Sequence, residues 1–203
     1  MAPGNDGALL LGRYRLAYEL GRGGAGIVYG AQDMTLGREV AVKVLQGRPR
    51  VPQAAARMAR EAQALADVQH PHLVRLLDYG DEGGTPCLVM ELVDGIDLRG
   101  LCAHHPCTVA ETVVILDQTL AALQACHARG YVHRDLKPGN VLVQRGDAPL
   151  SVKIIDFGIV QIAGDAGATA LTVQGQIFGS LRYMAPEQWS QVGVGPRTDL
   201  YAV

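Results

Sequence analysis

Gly21-Arg22-Gly23-Gly24-Ala25-Gly26 has the spacing G-x-G-x-x-G. Residues without bulky side chains let backbone N–H groups close on an anion such as a phosphate. The pattern alone admits a dinucleotide fold, a loop over nucleotide phosphates, or a plain hairpin turn. A dinucleotide site needs a helix directly after the third glycine. Here β-forming Ile27-Val28-Tyr29 follows, so a strand–glycine loop–strand hairpin fits better. Further on, Val40-Ala41-Val42-Lys43 reads as a strand whose period of two sets Ala41 and Lys43 on one face and Val40, Val42 and Val44 on the other. A lysine in so apolar a strand needs a partner. Solvent is one answer; phosphates together with a carboxylate are another. Glu61 offers that carboxylate, on the same helical stripe as Leu65 four residues later.

A second polar constellation lies at His133-Arg134-Asp135-Leu136-Lys137-Pro138-Gly139-Asn140. Pro138 and Gly139 exclude a regular helix, so this is a loop. Val141–Val143 and Val152–Ile155 read as two short strands around a turn at 144–151. Antiparallel pairing of Val143 with Val152 and Val141 with Ile154 places Asn140 at the same end as Asp156. An amide oxygen and a carboxylate converging there suit Mg²⁺, with the remaining ligands from water and phosphate. Asp135 is available to accept a proton from an attacking hydroxyl, and Lys137 to neutralise charge on a transferred group.

The elements that must carry these groups divide into a β-rich part, about 13–93, and a helical part, about 94–203, after a flexible lead-in over 1–12. Strands are expected at Tyr14–Leu20, Ile27–Gln32, Glu39–Leu45, Leu73–Tyr79 and Cys87–Leu92, with a helix from Pro52 to about Asp67. Thr108 and Glu111 form a capping box ahead of a helix whose stripe is Val113, Leu116, Leu120, Leu123 and His127, and Gly130 ends it. In 203 residues, 48% are hydrophobic, enough for a packed core, and the net charge of −2 gives no support to nucleic-acid binding through bulk positive charge. The four cysteines contain no C-x-x-C and read as reduced thiols of a cytoplasmic chain. Cys102, His104, His105 and Cys107 have zinc-type ligands without a zinc-site spacing, which favours an ordinary loop. No membrane segment is expected, since Asp117 interrupts the best apolar stretch, Val113–Leu123.

Taken in order, the glycine loop, Val40–Lys43, Glu61, His133–Asn140, Asp156-Phe157-Gly158 and Ala185-Pro186-Glu187 resemble a eukaryotic-type serine/threonine protein kinase, most closely the bacterial members. Lys137-Pro138 is similar to serine/threonine rather than tyrosine kinases. The resemblance covers residues 13–203 and implies an α+β, bilobal kinase fold: a β-rich N-lobe with one key helix and a mainly helical C-lobe. It implies ATP and Mg²⁺ as cofactors and phosphorylation of protein hydroxyls in signalling. Gly21, Arg22, Gly23, Gly24, Ala25 and Gly26 would cover the phosphates. Lys43, held by Glu61, would bind them, and Asn140 and Asp156 would hold the metal. Asp135 would serve as base, with Lys137 beside it. Val28, Ala41 and Leu142 would sandwich the adenine next to Met90, with backbone bonds from Glu91 and Val93.

The same resemblance implies regulation. Asp156 to Glu187 is a long, glycine-rich stretch, in which Thr169 and Thr172 are candidates for autophosphorylation through self-association, with Arg134 to receive the phosphate. The position four before Ser180, often a threonine in the family, is Gln176. Thr198–Val203 resembles the start of the central C-lobe helix, with Asp199 holding the backbone at His133-Arg134. On that likeness the chain is expected to be a C-terminally truncated fragment, poorly active alone. A kinase-like binding module without phosphotransfer is the competing reading, opposed by the presence of Lys43, Asp135, Asn140 and Asp156.

Overall fold

The computed structural model describes residues 9–23, 26–44, 52–146, 149–156, 161–162, 181–190 and 192–203, without side chains at 52–57, 161, 162 and 181. The chain forms two compact units. Met1–Ala66 with Arg75–Leu92 makes the first, and Asp67–Val74 with Val93–Val203 makes the second.

In the first unit, β1 (Leu9–Leu10), β2 (Tyr14–Gly23), β3 (Gly26–Asp33), β4 (Arg38–Val44), β5 (Leu76–Glu82) and β6 (Thr85–Glu91) form one antiparallel sheet in the order β1-β2-β3-β4-β6-β5. Alternation along β4 decides its two faces. Val40, Val42 and Val44 join Tyr14, Ala31, Cys87 and Val89 in one apolar cluster. On the other face, Leu88, the cross-strand partner of Lys43, packs with Met58 and Ala62 of α1 (Pro52–Asp67). Gly83 and Gly84, both at positive φ, make the two-residue turn that joins β5 to β6. A buried Asp33 takes a two-pronged bond from Arg13 at 2.8 and 2.7 Å and also accepts the N–H groups of Thr35 and Leu36.

The second unit contains β7 (Ile96–Asp97), α2 (Leu98–His104), α3 (Val109–His127), β8 (Tyr131–Val132), β9 (Val141–Gln144), β10 (Ser151–Ile154), β11 (Gln161–Ile162), α4 (Pro186–Ser190) and α5 (Pro196–Tyr201). β9 pairs with β10 in the expected register, Val143 with Val152 and Val141 with Ile154. Gln118 of α3 fastens that hairpin from both sides, accepting the Val152 N–H at 2.8 Å and donating to the Leu150 carbonyl at 3.1 Å. The Thr108–Glu111 capping box is formed, and Gly130 sits at φ +79° three residues past the helix end at His127.

Two expectations are corrected. The apolar stripe of α3 is not the packed one: Val113, Leu116 and Leu120 are exposed, at 58%, 36% and 40%. Of that stripe Leu123 is buried, together with Ile115, Thr119, Ala122 and Cys126. Apolar residues surround this helix, so periodicity alone could not select the side that meets β8 and β10. The helix is long and apolar enough to cross a membrane by composition, yet both its ends are tied into the second unit through Glu111–Arg145 and His127–Asp199. The strand expected from Leu73 begins at Leu76. Leu73 instead bridges Ile154, with Val74 N–H donating to the Ile154 carbonyl and Ile154 N–H to the His72 carbonyl. Those bonds, with Tyr131 Oη donating to Asp67, join residues 67–74 to the second unit although they lie within the stretch read as β-rich.

Candidate active site

Lys43 and Glu61 meet inside the first unit. The ammonium lies 2.9 Å from both carboxylate oxygens, and the two residues are only 3% and 5% exposed. β4 supplies the lysine because its alternation turns position 43 away from the valine cluster. α1 supplies the glutamate because Met58, Glu61, Ala62 and Leu65 share its buried face. Desolvation of such a pair consumes much of its Coulomb energy, so its presence points to something beyond stability.

At the head of the same sheet, Gly21 pairs with Val28 and Gly23 with Gly26, whose φ is +139°. A Cβ added at Gly21 or Gly23 would meet nothing within 4 Å. The Arg22 side chain pairs with Glu19 at 2.7 Å, both side chains largely exposed. Gly24 and Ala25 lie outside the described residues. Val28 is half-buried, and Ala41 and Met90 are buried partners across β4 and β6. The Glu91 N–H is already bonded to the Arg75 carbonyl at 3.0 Å, so a main-chain bond from Glu91 to a base falls to its carbonyl. Val93 and Leu142 belong to the second unit, both half-buried.

The second unit gathers the other polar residues. Lys137 Nζ lies 2.6 Å from Asp135 Oδ2, with both side chains 29% exposed. Asn140 Nδ2 donates to the Asp135 carbonyl at 2.8 Å, which orients the amide so that Oδ1 remains as its acceptor. The turn Pro138–Asn140 and the bond from Ile155 N–H to the Asn140 carbonyl, 2.9 Å, bring Asn140 beside the end of β10, where Asp156 follows at φ +55°. Phe157, Gly158, Thr169, Thr172, Gln176 and Ser180 lie outside the described residues.

Beneath this cluster sits Asp199, 1% exposed, on α5. One carboxylate oxygen accepts the His133 N–H at 2.9 Å and the other the Arg134 N–H at 2.8 Å. His127 Nε2 donates to the same carboxylate at 2.7 Å. The His133 ring is fully buried, which holds its pKa below the ordinary histidine value and keeps it neutral, and its Nδ1 accepts the Asp135 N–H at 3.3 Å. Burial likewise lowers the Arg134 guanidinium from its usual value. Sequence reasoning did not single out Gln188, which donates to the Arg134 carbonyl, or the bond from Thr198 to Glu187. Neither has a spacing signal, because both join residues far apart in the chain.

The protein kinase domain family model matches residues 14–203, and the chain belongs to that family. Serine/threonine-protein kinase pkn2 of Myxococcus xanthus is 37% identical over 97% of this chain and 24% of its own length. Serine/threonine-protein kinase PknD of Mycobacterium tuberculosis is 41% identical over 95% of this chain and 28% of its own. The crystal structure of the Mycobacterium tuberculosis PknI kinase domain superposes with a TM-score of 0.73 at 30% identity, over 97% of this chain and 72% of that one. The chain thus spans about a quarter of the length of these curated relatives, and the bilobal, α+β protein kinase fold is the one it adopts.

Proposed function

We propose that this chain transfers the γ-phosphoryl group of ATP to serine or threonine hydroxyls of proteins. The observation that carries the reading is the cluster of Asp135, Lys137 and Asn140 on a backbone gripped by the buried Asp199. Asp135 accepts the proton of the attacking hydroxyl at its carboxylate. Lys137, 2.6 Å away, supplies positive charge where negative charge develops on the transferred group. In the first unit, the Lys43 ammonium is assigned to the α/β-phosphates, with Glu61 keeping it extended. Backbone N–H groups of the hairpin tip at Gly21, Gly23 and Gly26 are assigned to the phosphates they would cover.

The donors fit magnesium: Asn140 keeps its oxygen available because its nitrogen is bonded to Asp135, and Asp156 adds a carboxylate, both hard oxygen ligands. When bound there the ion would neutralise phosphate charge. In the first unit, Val28, Ala41 and Met90 are assigned apolar contact with the adenine, and the main chain at Glu91 a polar contact with it. Protein substrates, and a second copy for autophosphorylation, are the partners this reading implies. A phosphotransfer assay with ATP, Mg²⁺ and a basic protein acceptor tests it. Incorporation by the unmutated protein, lost in Lys43→Met and Asp135→Asn, supports it. Equal inactivity of all three leaves a kinase-like binding module.

A further inference from the structure

Arg134 adopts φ +66°, a left-handed conformation that a residue with a side chain keeps only when its surroundings hold it there. Both of its backbone groups are held. Its N–H donates to Asp199 Oδ1 at 2.8 Å, and its carbonyl accepts from Gln188 Nε2 at 2.7 Å. The second bond matters most, because the Arg134 carbonyl and the Asp135 N–H belong to one planar peptide unit. Fixing that carbonyl fixes the plane from which Asp135 departs. The other end of the Gln188 amide is also occupied, since Oε1 accepts the Ala185 N–H at 2.9 Å. The two grips are themselves linked: Thr198 Oγ1, next to Asp199, donates to Glu187 Oε1, next to Gln188, at 2.8 Å. A closed ring of three hydrogen bonds and two peptide links therefore runs from Arg134 through Gln188, Glu187, Thr198 and Asp199 back to Arg134.

We propose that Gln188 is a positioning residue for phosphoryl transfer, its amide setting the 134–135 peptide plane and, through it, the Asp135 carboxylate. The proposal rests on the kinase reading of Asp135. Gln188→Glu keeps the size and the acceptor but cannot donate to the Arg134 carbonyl; Gln188→Leu removes both functions. Misplacing a reacting group by about an ångström costs about 100-fold in rate. Both variants are therefore expected to lower kcat by about 10- to 100-fold with KM for ATP unchanged, and to speed amide hydrogen exchange at residues 134–136. A kcat within twofold of the parent, or a loss matched by a rise in KM for ATP, overturns the proposal. If Gln188→Leu fails to fold, the near-isosteric Gln188→Glu carries the test. If the parent itself transfers no phosphate, the kinase reading fails and exchange at 134–136 alone judges the clamp: unchanged rates in Gln188→Glu overturn it.

Discussion

Among the described residues, the pairs Lys43–Glu61 and Lys137–Asp135 look alike in chemistry and differ in setting. Lys43–Glu61 is a two-oxygen contact at 2.9 Å, buried between a sheet and a helix. Lys137–Asp135 is a single 2.6 Å contact in a loop, with nearly a third of each side chain exposed. The first pair is built into regular structure, so removing one member leaves a charge stranded in an apolar interior. The second stands partly in water, where an ion pair contributes about 1 kcal/mol or less to stability. Burial makes one pair a fixed bracket. Partial exposure leaves the other within reach of solvent.

That contrast can be broken by substitution. Asp135→Asn is expected to lower phosphotransfer by about 100- to 10,000-fold while moving the urea unfolding midpoint little. A large stability loss there would show the loop pair to be structural. Lys43→Met is expected to cost about 3 kcal/mol in urea unfolding as well as activity, because the buried Glu61 loses its ammonium partner. The double variant Lys43→Met/Glu61→Met sharpens the point: stability returns toward that of the parent while activity stays lost. Thr108→Ala, which opens the capping box of α3, is expected to cost about 1 kcal/mol and leave kcat unchanged.

The smallest expected effect concerns another buried carboxylate, Asp33. Hydrogen bonding from the Arg13 guanidinium holds the Asp33 carboxyl down to about 2. Its folded pKa is lowered, so the stabilisation is fully present above the ordinary carboxylate value near 4. It is lost as the pH falls from there through about 2. Acid unfolding followed by circular dichroism should therefore lose part of its slope in this window in Asp33→Asn; an identical acid limb would remove Asp33 from the account.

Much of this was legible in the amino-acid order. The span of α1, the capping box of α3, the register of β9 with β10 and the face of β4 that carries Lys43 all follow from local rules, because each depends on neighbours within a few positions or across one tight turn. The Arg134 conformation and the Gln188 clamp were not legible, since a hydrogen bond between residues 54 positions apart leaves no periodic trace. The packed side of α3 was misread for a related reason: Val113, Leu116 and Leu120 are as apolar as the residues that are buried.

The order of residues by itself determined the local units: the alternation of Val40–Lys43, the cap at Thr108, the glycine-rich hairpin, and the polar types at 133–140 and 156. Tertiary structure alone decided which of these groups meet. Only folding could close a 2.9 Å contact between positions 43 and 61, or set one buried carboxylate at position 199 under the amides of 133 and 134. The physical reason is range. Propensity and periodicity act over one or two turns of chain, whereas desolvated ion pairs and carboxylate–amide bonds are selected by packing that the whole unit must complete first.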